Sequence, residues 1–170
     1  MAYNVRILPR QGLDIIFYSS LVTRSDFDEV WRTLAESKDF KWDFDEIAVF
    51  GPDADVANLN FESVNAEAQR FKQTHEAVNI ERNRRVAIVV SSHVQALNGK
   101  MFLAYIATNP PPHIEFKLFN SSEAGIEWIE EGRPADHPAR RIDRAEVDRT
   151  ITELAGPRRG LLGPRRAKVG

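Results

Sequence analysis

Ser91, Ser92 and His93 are the residues whose types come nearest to a catalytic set, in the stretch RVAIVVSSHVQALNGKMF (residues 85–102). A hydroxyl nucleophile needs a base within hydrogen-bond reach and a third group to orient that base. Adjacent side chains point in different directions, and the chain has no Gly-x-Ser-x-Gly elbow. The same serines fall between an apolar strand and a helical pattern, so the favoured reading is a helix cap, with a hydroxyl accepting from a free backbone amide. A small hydrolase built on Ser91, Ser92 and His93 is the third functional reading.

Asp53 and Asp55, in GPDAD, follow a short apolar strand, where open α/β sheets bind ligands and paired carboxylates can hold a cation. No second acidic cluster is tied to them by spacing, so no metal is expected. His75, His93, His113 and His137 lack metal-ligand spacing, and the neighbouring WDFDE (residues 42–46) reads as a solvated approach to the strand. Gly99-Lys100 lacks the upstream glycine of a phosphate loop, and no Gly-x-Gly-x-x-Gly occurs. No cofactor is expected.

The elements that must position these residues are legible from period and punctuation. Val5 and Ile7 alternate with polar neighbours, PRQG punctuates, and LDIIFYSSLV follows, which predicts a hairpin turning at Gly12. Ser25 and Asp28 have capping-box spacing ahead of a helix reaching Phe40. After the strand EIAVFG, Phe61, Val64, Ala68, Phe71 and His75 repeat at helical spacing. RRVAIVVSS is apolar on consecutive positions, as a strand covered on both faces should be.

The third helix places Val94, Leu97, Met101 and Tyr105 on one side, expected to face the core. Met101, Phe102, Tyr105 and Ile106 make it apolar over more than one stripe, which suits either a core helix or a slot for an apolar ligand. Ile114, Phe116 and Leu118 alternate with charges, predicting a half-exposed edge strand, and Asn120 with Glu123 marks the start of a helix carrying Trp128 and Ile129. The expected fold is an α/β domain over residues 1–132, in the order ββαβαβαβα, with about five strands in one mixed sheet and four helices.

Residues 133–170 read as a Pro/Gly/Arg-rich extension with a short helix at 142–155, where Val147, Ile151 and Leu154 share a stripe. This extension is expected to add little to the core of its own subunit. Arg158, Arg159, Arg165, Arg166 and Lys168 make the end basic and leave 18 basic against 25 acidic residues elsewhere, a net of −7. Opposite charge, together with Leu161 and Leu162, predicts that the arginines dock on the body or on a neighbouring subunit, with a homodimer as the expected assembly.

The net charge of −2 and 42% hydrophobic residues are those of an ordinary globular domain. With no cysteine there is no disulfide, thiolate ligand or cysteine nucleophile. No apolar run reaches the length of a membrane span and no signal-peptide pattern opens the chain, so a cytoplasmic protein that is not integral to a membrane is expected. Without aromatic residues among the basic ones, nucleic acid is an unlikely partner.

The opening hairpin and helix, DEIAVFGPDADVANLNFESVNAEAQRF, and RRVAIVVSSHVQALNGKMFLAYIATNPPPHIEFKLFNSSEAGIEWIEE together resemble the STAS superfamily. Within it they look most like the SpoIIAA-like branch beside the Sec14 or CRAL-TRIO lipid-binding proteins. The resemblance implies a non-enzymatic domain that binds another protein, or alternatively a carrier for a lipid or other apolar small molecule. It also implies a phosphosite at Ser63, the position comparable to the serine of the family's antagonist members, although here Glu62 and Val64 flank it and the motif's glycine is absent. Asp53, Asp55, Ser91, Ser92, His93, Met101, Phe102 and Tyr105 form the candidate ligand or partner surface.

Overall fold

The computed structural model describes residues 2–76, 82–108, 110–111 and 113–156. Five strands make one sheet in the order β1-β2-β3-β4-β5: β1 (Tyr3–Leu8), β2 (Leu13–Tyr18), β3 (Asp45–Phe50), β4 (Arg84–Val89) and β5 (Ile114–Phe119). β1 and β2 are the expected antiparallel hairpin, turned by a single 3-10 turn at Pro9–Gln11. Gly12 closes it at φ 56°, a left-handed conformation that glycine adopts without strain. The remaining pairs are parallel, each joined by a helix.

Each parallel strand lies on the same side of its predecessor, so crossovers of one hand bring their helices to one face. On that face sit α1 (Arg24–Glu36), α2 (Phe61–Glu76) and α3 (His93–Thr108). Strand side chains alternate accordingly. Ile16, Tyr18, Ala48, Val86 and Ile88 turn toward α1–α3, whereas Leu13, Ile15, Phe17, Ile47, Val49, Ala87 and Val89 turn to the other face. That second face is covered by α4 (Ser122–Gly132) and α5 (Arg144–Ala155) through Ile126, Ile129, Val147 and Leu154. β4 is buried on both faces and β5 is the half-exposed edge, as expected.

Two caps differ in position from the expected ones. Thr23 with Asp26 forms the capping box of α1, rather than Ser25 with Asp28, and Ser121 caps α4 by accepting from the Ala124 amide. Each true cap is the residue whose backbone is extended where helical dihedrals begin. In α2, Val64 and Ala68 are buried, while the side chains of Phe61, Phe71 and His75 lie outside the described part.

The segment after α4 contributes to the core, contrary to expectation. Ile142, Val147 and Leu154 belong to the same apolar cluster as β2 and β3, because α4 alone is too narrow to cover a face whose β1 and β2 side would otherwise stay wet. Arg133 is buried and pins the chain there: its Nε donates to Asp45 at 2.8 Å and its Nη2 to the Gly12 carbonyl at 3.1 Å. Gln11 accepts from the Asp143 amide, and Asn4 donates to the Leu154 carbonyl. Arg158, Arg159, Arg165 and Arg166, with Leu161 and Leu162, lie outside the described residues. No helix among the described residues is long and apolar enough to cross a membrane.

Candidate ligand cavity

The space between the sheet and α1–α3 is incompletely filled. A cavity of about 110 Å³ lies there, walled by Ile16 and Tyr18 of β2, Ala48 and Phe50 of β3, and Val86 and Ile88 of β4. Phe27, Val30 and Trp31 of α1, Val64 of α2, Gln95, Asn98, Gly99 and Phe102 of α3, and Phe116 of β5 also line it. Its lining is almost wholly apolar. Exposed Arg24 and half-buried Ser63, at the first turns of α1 and α2, mark the end nearest solvent, toward the carboxyl ends of the parallel strands. Glu46, at the amino end of β3, lies at the other end, four residues and about 13 Å along the strand from Phe50.

Polar side chains of α3 fix the loop at the open end. Gln95 is buried; its Nε2 donates to the Gly51 and Ala54 carbonyls, each at 2.9 Å, and its Oε1 accepts from the Ser91 and Ser92 amides. Asn98 donates to the Val56 carbonyl at 3.0 Å. Ser92 is the N-cap of α3, its hydroxyl accepting from the Gln95 amide at 3.2 Å, so Ser92 and Gln95 form a reciprocal capping box. The Ser91 hydroxyl donates to the Phe50 carbonyl at 2.9 Å, and His93 is exposed. Both serine hydroxyls therefore hold backbone at the β4–α3 junction.

Asp53 and Asp55 are exposed in the loop after β3, with the Asp55 carboxylate accepting from the Ala57 amide. No group of three or more potential metal-ligating side chains occurs among the described residues. Ser63 is at the third position of α2, its hydroxyl donating to Asn60 at 3.0 Å. Of the sequence candidates, Ser63 and Phe102 line the cavity; Asp53, Asp55, Ser91, Ser92 and His93 surround the sheet's carboxyl edge; Tyr105, half-buried, accepts from Gln69.

The third helix is rotated relative to its sequence reading. Val94 and Leu97 are 55% and 54% exposed and Met101 is half-buried, whereas Gln95, Phe102 and Ile106 turn inward. An apolar residue lies on nearly every side of this helix, so two stripes compete. The buried side is decided by Gln95, whose amide matches four backbone groups of the loops below.

WDFDE is likewise not a solvated approach. Asp45 and Glu46 are 3% and 5% exposed, on opposite faces of β3. Asp45 binds Arg133, and Glu46 meets Arg84, the first residue of β4, with Arg84 Nη2 at 2.5 Å from Glu46 Oε2 and 3.6 Å from Asp14 Oδ1. Asp14 on β2 is the cross-strand neighbour of Glu46. Burial pushes the Asp14 carboxyl well above the usual carboxylate range, and that of Glu46 upward, against the opposing pull of Arg84. Sequence reading missed Asp14, Glu46 and Arg84. Their signal was a charge set directly against an apolar strand run, in LDIIFY, DEIAVF and RRVAIV.

No family model, curated protein or solved structure matches the chain.

Proposed function

We propose that the protein is a non-enzymatic STAS-like domain that binds a small apolar molecule between its sheet and the α1–α3 layer. The observation that carries this reading is the apolar cavity of about 110 Å³ in a region where a well-packed domain has side chains in contact. A dry cavity of about 150 Å³ takes benzene, so the volume suits a body of about four to six carbons. The test is thermal melting with benzene and 1-pentanol over a range of concentrations. A ligand at one hundred times its Kd adds about 2.7 kcal/mol and raises Tm by about 5–10 °C. Ala48→Leu, which fills the cavity, should abolish the rise. Melting temperatures unmoved by either compound would overturn the reading.

A second reading, protein binding through the outer side of α3, is supported by the exposure of Val94 and Leu97 beside one another on that helix. The partner is another protein or a second copy of the chain. Leu97→Lys should then reduce self-association measured by light scattering while leaving Tm unchanged; an unaltered mass for an associating protein would remove it.

A further inference from the structure

The inner end of the cavity is charged in a way that the fold alone does not require. Asp14, Glu46 and Arg84 lie side by side on β2, β3 and β4, all on the α1–α3 face, and together bring two carboxylates to one guanidinium. One carboxylate would neutralise Arg84. The second, Asp14, has no exposure, and Arg84 Nη2 lies 3.6 Å from its Oδ1, beyond hydrogen-bond reach. Burial drives such a carboxyl toward its protonated form, and only a further donor or cation at the cluster favours its ionised form.

Glu46 opens that cluster to the cavity, being the one carboxylate in its described lining, while the one cation there, Arg24, is at the opposite, solvent end. Aromatic faces border the same place. The Trp31 ring lines the cavity, stacks on Trp42 at 6.0 Å between centroids, and lies 5.9 Å from the Arg84 guanidinium. Such faces attract cations as well as apolar groups.

We propose that the cavity selects a cationic amphiphile: a protonated amine on an apolar body of about four to six carbons, its head meeting Glu46 and its charge balancing the surplus carboxylate of Asp14. This inference rests on the apolar-ligand reading and specifies its ligand. A monocation at Glu46 favours the ionised form of Asp14 and leaves two carboxylates balanced by two cations. A neutral alcohol gains only the apolar contribution, and an anion meets the Glu46 carboxylate in a low-dielectric site.

Calorimetric titration of the full chain near pH 7 with pentylamine, 1-pentanol and pentanoate separates these cases. The expected order is amine, then alcohol, with pentanoate not binding. The amine should lead by about tenfold or more, the usual worth of a hydrogen bond to a charged group. Glu46→Gln, close in volume, should bring the amine to the level of the alcohol, and Asp14→Asn should narrow the gap. Equal or better binding of 1-pentanol by the unaltered protein overturns the cationic selection and leaves the apolar-ligand reading standing. Binding of none of the three overturns both. An amine preference that persists in folded Glu46→Gln places the head elsewhere and overturns the assignment.

Discussion

Arg84 stands between two carboxylates with no exposure of its own, and the free energy of the inner cavity depends on it. Replacing it by Met leaves Asp14 and Glu46 buried without their countercharge, which should cost about 3–5 kcal/mol in urea unfolding at neutral pH. Combining Arg84→Met with Asp14→Asn and Glu46→Gln should recover a substantial part of that loss; no recovery would mean that packing of the Arg84 stem, rather than charge, accounts for it. The pH dependence follows from the same cluster. Asp14 and Glu46 hold their protons more tightly folded than unfolded, so their contribution is fully present below the ordinary carboxylate range. It is lost as pH rises through their elevated folded values. Asp14→Asn should flatten that part of the stability profile, and a profile parallel to the unaltered protein's would contradict the shift. In the sequence these three residues sit at the first or second positions of strands, where a charge is equally consistent with a solvated strand end. Only the strand pairing brings them together.

The helix α3 shows what periodicity can and cannot decide. Its length and place between β4 and β5 follow from the pattern, but its rotation does not, because Val94, Leu97 and Met101 compete with Phe102 and Ile106 for the inner side. Hydrogen bonding settles the competition in favour of Gln95. Gln95→Ala would leave the Gly51 and Ala54 carbonyls and the Ser91 and Ser92 amides without this partner, at about 1–3 kcal/mol for each group that water cannot reach. Ser92→Ala removes one cap bond and should cost about 1 kcal/mol. Chemical denaturation of the two variants should therefore rank Gln95→Ala as clearly the worse; equal losses would show that the loop is held without Gln95. Ser92 was legible as a cap, since cap chemistry is local, whereas the Ser91 hydroxyl donates to the Phe50 carbonyl of a neighbouring strand and caps nothing. The carbonyls that Gln95 meets come from the β3–α2 loop more than forty residues earlier in the chain, beyond the reach of any local pattern.

At the scale of the whole molecule, a sheet wound in one direction has one face covered by its crossovers and depends on later segments to cover the other. The element order, the covered β4 and the edge position of β5 were legible because each follows from alternation and connection rules. The role of α5 was not. A twelve-residue helix after a proline-rich stretch looks like an appendage until the uncovered side of β1 and β2 is known. Removing residues 133–170 exposes the surface under Ile142, Val147 and Leu154, about 4.5–9 kcal/mol of apolar burial, comparable with the whole stability of a domain. A chain ending at Gly132 should fail to give a cooperative melt. Matching melts for the chain ending at Gly132 and the full chain would show that α5 is dispensable. The cavity on the opposite face makes the most direct claim about function, and NMR of the full chain with pentylamine reads it. Intermolecular NOEs to Ile88, Val64 and Phe102 are the expected result; NOEs confined to Val94 and Leu97 on the outer side of α3 would contradict it.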